Sequence, residues 1–443
     1  MAKRMRFILS TIMVIVAMTA KAQVTTSSLS GKVTDPDKEA IIGATVQAIH
    51  EPSGTRYGAI TNIDGRYTIQ GMRAGGPYSV EVSYIGYQTM MYKDVTLQLG
   101  EVYNLNVQMK ESSELLEEVV VTAQKTKFAS EKTGATTNIS NTQIASMPSV
   151  SRSITDYSRL SAYGGNGMSF AGSDGRTANF TIDGANFNNN FGLSSNLPGG
   201  GNPVSIEAID EIQIVISPFD VRQTNFIGGG INAITKSGTN TYKGTAYIYH
   251  QNENMRGDAI DRETILGARE KDQSTTYGFT IGGPIIKNKL FFFANGELQN
   301  TPAIANRWRA SEDGVANADA YISRATVADL QNVSDIAKER YGYDTGSFSS
   351  FPSDNKNTKL LARIDWNINN NHRLALRYNY TKNTVWNAPN ASSMDGGTRM
   401  SGSCLSTLTA ASLLPCPTSF WQHSPSWMTY VVLIPVFSHL SIF

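Results

Sequence analysis

Residues 359–381, KLLARIDWNINNNHRLALRYNYT, alternate between apolar and polar side chains on both sides of an asparagine-rich turn. Leu361 apart, the first run is apolar at every second position: Leu360, Ala362, Ile364, Trp366 and Ile368. The second run continues with Leu374, Leu376, Tyr378 and Tyr380. Alternation of period two is typical of a half-buried strand, and two such runs across a short turn predict a β-hairpin. A protein core and membrane lipid both produce this pattern, so the hairpin alone does not identify what its apolar face contacts.

The hairpin closes a series of strand-like segments that begins after Thr241. They cover residues 243–251, 275–283, 290–298, 359–368 and 372–381. The third is less regular, because Phe291, Phe292 and Phe293 place aromatic rings on both faces. The connecting segments alternate in length: 252–274 and 299–358 are long, whereas 284–289 and 369–371 are short. Long loops on one side and short turns on the other are typical of an outer-membrane β-barrel, and segments of about ten residues can cross hydrocarbon at a tilt. The apolar face is therefore expected to contact lipid.

The first 22 residues have the composition of a cleaved export signal. Lys3, Arg4 and Arg6 precede an apolar run over residues 7–18, and small residues surround a cleavage position before Gln23. The run is shorter than the about 20 residues that a spanning helix needs, although an uncleaved anchor is the alternative. Export through this signal is expected. No cysteine occurs between Gln23 and Ser403, so core burial or a membrane, and not disulfides, must stabilise the exported chain.

The bulk composition fits two or three domains. The chain has 443 residues, 17% of them charged, and a formal net charge of +1. The charged fraction is below the about 25% of ordinary soluble domains. No basic block is present, so nucleic acid is not an expected partner.

Residues 23–110 contain short strand-like segments separated by turn signals such as Asp35-Pro36-Asp37 and Asp64-Gly65. Some seven strands in residues 28–110 predict a small antiparallel sandwich. The stretches GKVTDPDKEAIIGATV (31–46) and TNIDGRYTIQGM (61–72) resemble the carboxypeptidase-regulatory-like domain, which has a transthyretin-like fold. The resemblance implies a spacer or docking module. Sugar binding is the alternative, because related sandwiches bind starch.

A linker over residues 111–123 follows, in which an acidic stretch gives way to a β-branched run. The run Glu118, Val119, Val120, Val121 and Thr122 resembles the energy-coupling box of TonB-dependent outer-membrane receptors. One more strand of a β-domain is the alternative. An extended β-branched segment can add itself to the sheet of a periplasmic partner, and a pull on it would then reach the domain behind.

Residues 124–240 resemble the plug domain of the same receptors. The supporting stretches are TANFTIDGANFNNN (177–190), VSIEAIDEIQIVISPFD (204–220) and IGGGINAITKSGTN (227–240). Gly228, Gly229 and Gly230 are expected to permit close backbone packing. A soluble α+β domain is the alternative. The segment Asn186, Phe187, Asn188, Asn189, Asn190 and Phe191 combines rings with amides and is a candidate ligand contact for a sugar or peptide. A turn-rich solvated loop is the alternative, and it is the simpler explanation of the two.

Residues 241–399 resemble the first strands of the receptor barrel, and GGPIIKNKLFFF (282–293) is similar to the second hairpin of the Oar-like branch. The expected fold class is mainly β: the sandwich, an α+β plug and an incomplete transmembrane antiparallel barrel. The family implies a receptor in the Gram-negative outer membrane for energised uptake of an oligosaccharide, peptide or chelate. Its implied partners are a TonB-type energy-coupling protein, outer-membrane lipid, an extracellular ligand and a surface lipoprotein.

Two features depart from the family. Its barrels have about 22 strands, whereas five are predicted here. Residues 400–443 form an anomalous tail without Asp, Glu, Lys or Arg that contains both cysteines, Cys404 and Cys416. We expect a truncated receptor whose native frame ends near residue 400; a C-terminal apolar anchor is the alternative.

Catalysis is not expected. No HExxH, GxSxG or P-loop pattern occurs, and the five histidines do not have metal-ligand spacing, so no catalytic residue, metal or cofactor is predicted. A non-transporting surface or secreted adhesion protein built of β-domains is the alternative function.

Overall fold

The computed structural model describes three β-rich parts of the chain. The described residues are 25–111, 119–122, 135–147, 149, 152–165, 167–188, 197, 202–216, 218, 223, 226–255, 259–260, 263–264, 273–304, 309–317, 322–345, 352–369, 372–387 and 399–411. The predicted signal peptide and the tail after residue 411 lie outside them. The mainly β fold class is confirmed, and the two α-helices of the described part have 6 and 15 residues.

The first part, called the sandwich, has eight strands in two sheets. They are β1 (Ser27–Thr34), β2 (Thr45–His50), β3 (Thr55–Ile60), β4 (Arg66–Met72), β5 (Gly75–Ser83), β6 (Met90–Leu97), β7 (Val102–Asn104) and β8 (Val107–Gln108). One sheet pairs β1 with β4, β7 and β8, and the other has the order β3-β2-β5-β6. Alternate residues of both sheets enclose a shared core that includes Leu29, Val46, Tyr78 and Val80. The sequence predicts some seven strands here, and the eighth arises because residues 105–106 separate β7 from β8.

The middle domain covers residues 135–235 and has one mixed sheet. Its elements are β10 (Ala135–Ser140), α1 (Asn141–Ser146), β11 (Asn179–Ile182), β12 (Ala185–Asn186), β13 (Ile209–Ile216), β14 (Gly229–Thr235) and 3-10 helices at Ile154–Leu160, Gly175–Thr177 and Ile206–Ala208. The sheet order is β10-β13-β14-β11-β12. A Cβ atom on Gly229 would lie 2.7 Å from the buried ring of Phe170, so the predicted close packing at the glycine run is confirmed.

The third part is an antiparallel sheet of six described strands, called the wall sheet. Its members are β15 (Lys243–Gln251), β18 (Ser274–Ile286), β19 (Leu290–Ile304), β22 (Pro352–Asn367), β23 (Arg373–Asn387) and β24 (Arg399–Ala411), paired in that order. The strands of the long connections are β16 (Ala259–Ile260), β17 (Glu263–Thr264), β20 (Arg309–Ser311) and β21 (Ile322–Thr326), with a 3-10 helix at Glu253–Met255 and α2 (Val327–Tyr341). The sixth strand adds to the five predicted ones and extends the sheet into the uncharged tail. Among the described residues the sheet does not close, since β15 and β24 form its ends.

The two faces of the wall sheet have an inverted polarity. Its buried face carries charged and amide side chains, among them Glu297, Lys359, Arg363, Asp365 and Asn379. Its exposed face carries large apolar side chains: Ile248, Tyr277, Phe279, Ile281, Leu298, Leu360, Ile364, Trp366, Leu376 and Tyr378. In a soluble protein the apolar side chains would be buried and the charged side chains exposed, because burial of a charge is costly and burial of an apolar group is favourable.

The buried face of the wall sheet packs against the middle domain. Phe293 and Leu361 belong to the apolar core of that domain, together with Phe180 and Ile231. Thr381 donates a hydrogen bond of 2.5 Å from its hydroxyl to the carbonyl of Pro203. The middle domain therefore lies on the buried, polar side of the wall sheet.

Candidate functional site

The predicted coupling segment forms a fifth strand on one sheet of the sandwich. Strand β9 (Val119–Thr122) extends the order to β3-β2-β5-β6-β9 and runs parallel to β6. The register pairs Met90 with Val119 and Lys93 with Thr122. Glu118, the remaining residue of the predicted segment, lies outside the described residues. The strand conformation of residues 119–122 agrees with the sequence pattern, whereas capture by a partner protein stays a prediction.

The sandwich contacts the wall sheet at the end where the short turns lie. The Asn240 amide donates to the carbonyl of Pro52 at 2.8 Å, and the side chain of Asn367 donates to the hydroxyl of Thr55 at 3.0 Å. Arg373 donates to the carbonyl of Arg56 at 2.7 Å. The guanidinium of Arg373 also lies 3.9 Å from the ring centre of Tyr57, within the range of a cation–π contact. These contacts fix the sandwich beside the turn at residues 287–289 and the facing ends of β22 and β23.

The sandwich also contacts the middle domain through a buried acid. The Leu99 amide donates to the Glu211 carboxyl at 3.0 Å, and the side chain of Gln213 donates to the carbonyl of Leu99. Burial raises the pKa of the Glu211 carboxyl to about 8, and the hydrogen bond from Leu99 opposes this rise. The side chain of Asn138 adds a hydrogen bond of 3.1 Å to Glu101. Glu211, Gln213 and Asn138 thus connect the middle domain to residues 99–101 of the sandwich.

A buried ionic network joins all three parts around Asp183. Its carboxylate accepts hydrogen bonds from the amide and the hydroxyl of Thr235, at 3.0 and 2.6 Å. It also lies 3.8 Å from the guanidinium of Arg363 and 3.5 Å from that of Arg377, both on the wall sheet. Arg363 is held in turn by two hydrogen bonds to Asp365, at 2.8 and 3.0 Å.

The sandwich contributes one cation to this network. Arg73, at the end of β4, lies 3.6 Å from Asp365. A single cluster of alternating charges therefore runs from the sandwich through the wall sheet to the middle domain. Sequence reasoning missed it, because its members come from segments as far apart as Arg73 and Arg377, about three hundred residues. The local signal in the sequence was the TIDG turn, where Asp183 has a φ of 50°.

A second polar contact joins the wall sheet to the middle domain. Glu297 and Lys359 form a buried ion pair at 2.7 Å on neighbouring strands. The other Glu297 oxygen accepts hydrogen bonds from Ser205 at 2.7 Å and from Tyr247 at 2.8 Å. With both oxygens satisfied, the pair meets the condition for a charge to be stable away from water.

A cavity of about 280 Å³ lies between the middle domain and β15. Its lining includes Arg152, which pairs with Glu207 at 3.2 Å and stacks 3.6 Å from the ring centre of Tyr249. Tyr249 also donates to Glu207 at 3.2 Å. Arg152, Glu207 and Tyr249 therefore satisfy one another at the wall of this cavity. In the part of the chain that the structure describes, no group of three potential ligands has metal-binding geometry.

The predicted ligand segment is described only in part. Asn186 is exposed, whereas Phe187 is buried in the middle-domain core. The Asn188 side chain accepts from the Phe180 amide at 2.6 Å and donates to Asn179 at 2.7 Å, so it closes the turn after β12. The other three, Asn189, Asn190 and Phe191, lie outside the described residues. Ligand binding by this segment stays a prediction.

Comparisons with known proteins give matches on both sides of the middle domain. Residues 28–110 match the family of the carboxypeptidase regulatory-like domain, and residues 234–310 match that of the outer membrane beta barrel domain. The chain is 27% identical over 227 residues to the TonB-dependent transporter Oar of Myxococcus xanthus. That alignment covers 48% of this chain and 19% of the transporter, so the chain spans a minor part of its relative.

Two solved receptors share a partial likeness with the chain. The siderophore receptor PirA from Acinetobacter baumannii is 19% identical, with a TM-score of 0.39 over 62% of this chain and 37% of that one. The outer membrane transporter YddB from Escherichia coli is 13% identical, with a TM-score of 0.43 over 62% and 36%. TM-scores of this size indicate only a partial similarity of structure.

None of the helices in the described ranges has the length and apolar character needed to cross a membrane. The two family matches, their order along the chain and the alignment with Oar identify the chain as a relative of the TonB-dependent outer-membrane receptors, with a carboxypeptidase regulatory-like domain ahead of the first strands of an outer-membrane β-barrel.

Proposed function

We propose that this chain forms part of an outer-membrane receptor for energised uptake of a large nutrient: an oligosaccharide, a peptide or a chelate. The observation that carries the proposal is the inverted polarity of the wall sheet. A contiguous exposed apolar face marks an interaction surface, and the face opposite to it holds the charges. Lipid is the environment that accepts a sheet with its polar side chains inward.

The middle domain is proposed to act as the plug of this receptor. Support comes from its place on the buried face of the wall sheet and from the polar nature of the contacts. Hydrogen bonds and ion pairs can be exchanged for water at a smaller net cost than apolar contacts, so the polar part of this interface can rearrange. Phe293 and Leu361 supply its apolar part. The Asp183 network and the hydrogen bonds of Ser205 and Thr381 are contacts of this kind.

Residues 118–122 are proposed as the coupling segment that a TonB-type protein captures. Support comes from the extended conformation of residues 119–122 and from the short-turn side of the wall sheet, where the sandwich docks. Short turns face the periplasm in barrels of this class, so the segment would lie in the compartment of its partner.

Site-directed spin labelling tests the lipid contact. Labels at Ile364 and Leu376, both on the exposed face of the wall sheet, are expected to be accessible to oxygen and protected from a water-soluble nickel reagent in reconstituted vesicles. A label at Thr68, on the exposed surface of the sandwich, is the matched control and should show the opposite preference. Water accessibility at both wall positions, with the protein soluble without detergent, would instead support an adhesion protein.

A further inference from the structure

Strand β9 occupies the end of its sheet. Within the described ranges its neighbour is β6, and the order β3-β2-β5-β6-β9 places no strand beyond it. In a strand paired on one side, alternate residues direct their backbone N–H and C=O groups to the other side. Among the described strands, the segment proposed for coupling is therefore paired with the sandwich along one edge and unpaired along the other.

This position gives a partner strand two routes to β9. It could displace β6, which requires the pairing of four residues to break first. It could instead add to the open edge, which forms new hydrogen bonds and breaks none. Addition also benefits from the pairing with β6, because β9 is already held in an extended conformation. Its backbone conformational entropy is lost before the partner binds, so binding does not carry that cost. Addition is thus the route with the smaller free-energy cost.

The docking of the sandwich keeps this edge in place. Arg373 and Asn367 attach the sandwich to the short-turn side of the wall sheet, and Glu211 attaches it to the middle domain. A strand that stays on the sandwich is consequently presented at a fixed position relative to the barrel.

We propose that the open edge of β9 is the docking surface for a β-strand of the periplasmic energy-coupling partner, and that β9 remains paired with β6 in the complex. The sandwich and the partner then share one continuous sheet with β9 between them. The partner that fits this surface is a protein that offers an unpaired strand edge. This inference rests on the proposed role of residues 118–122 and adds that the sandwich forms part of the docking platform.

A disulfide lock between the two strands tests it. Met91→Cys and Val120→Cys place thiols at paired positions of β6 and β9, and the spacing of paired strands, about 4.8 Å, lies within disulfide range. The full chain carries Cys404→Ser and Cys416→Ser so that no other thiol competes. Binding of the soluble C-terminal domain of a TonB-type protein is then measured in detergent, with the lock oxidised and reduced.

The matched control is a lock elsewhere in the sandwich. Ser30→Cys and Thr68→Cys lie at paired positions of β1 and β4, away from β9. Oxidation is expected to change the Kd by less than about threefold in both variants. A tenfold or greater loss on oxidation of the β6–β9 lock alone would overturn the inference, because it would show that β9 must leave β6 before the partner binds.

Two other results are informative. If the partner fails to bind in either redox state of either variant, the coupling role of residues 118–122 is wrong, and the inference is overturned with it. If neither Met91–Val120 nor the adjacent lock, Tyr92→Cys with Val121→Cys, forms a disulfide, the β6–β9 pairing itself is refuted.

Discussion

Replacing Asp183 by Asn tests whether the middle domain is held to the wall sheet by charge. Asparagine has the same size as aspartate and still offers an oxygen that can accept the hydrogen bond from the Thr235 amide. It also tolerates the φ of 50° at this position. It removes the negative charge that faces Arg363 and Arg377. The two arginines differ in what remains to them, since Arg363 keeps its hydrogen bonds to Asp365.

The expected magnitude follows from the position of Arg377. Its side chain is about nine-tenths buried, and Asp183 is the acid within ion-pair distance of it in the described part of the chain. Breaking a buried pair by removing one partner costs about 3–5 kcal/mol, because the other charge stays uncompensated. Asp183→Asn is expected to fall in that range. Adding Arg377→Met removes the orphaned charge, so the double variant should lie within about 2 kcal/mol of the parent and the cycle should show strong coupling.

Guanidinium unfolding of the detergent-solubilised chain, followed by tryptophan fluorescence, gives the apparent stabilities for this cycle. Asp174→Asn is the matched control: it breaks the ion pair with Arg176, which is about half exposed, and should leave the midpoint unchanged. The reasoning is refuted if Asp183→Asn leaves stability unaltered, or if the effects of the Asp183 and Arg377 substitutions simply add.

Three further substitutions test other contacts. Val120→Pro removes a backbone N–H and is expected to abolish capture by a TonB-type domain in a pull-down, while Val120→Thr retains it; capture by the proline variant would refute the coupling assignment. Glu211 has a pKa raised from 4.5 to about 8, so its contribution to stability is complete below pH 4.5 and is lost as the pH rises through 8. Glu211→Gln should flatten the pH dependence of proteolytic cleavage between sandwich and middle domain; an unchanged profile would exclude Glu211 as its source. Gly229→Ala should destabilise by about 1–3 kcal/mol through contact with Phe170, whereas Gly58→Ala, where the nearest atom is 3.7 Å away, should be tolerated; equal melting temperatures would contradict the packing.

The alternating pattern was sufficient to predict the hairpin and its sidedness. Ile364 and Leu376 are paired in register on the exposed face, as their positions predict. The pattern did not predict that β22 begins at Pro352, because residues 352–358 do not alternate. They are strand because the backbone ladder with β19 continues through them, and hydrogen bonding of this kind is independent of the side-chain pattern.

The irregular third strand has a structural reason. Phe291 and Phe293 are both buried, and Phe293 packs into the core of the middle domain. Phe292 lies on the other face, near the ring of Tyr242. Aromatic residues on both faces therefore indicate a position where the inside of the sheet is also apolar. The alternation pattern does not predict this, because it assumes one polar and one apolar face along the whole strand.

The candidate site was predictable as a segment but not as an arrangement. Residues 119–122 read as extended from their β-branched composition alone. Their parallel pairing with β6, and the gathering of Asp183 with Arg363 and Arg377, depend on tertiary neighbours that local sequence does not encode.

The parallel alignment of β6 and β9 has a mechanical consequence. Tension applied along the two strands would load all four register positions together, in shear. Tension applied across them would open the positions one after another, as a zipper opens. The direction of the pulling force relative to the two strands would then decide whether the sandwich moves together with β9 or separates from it.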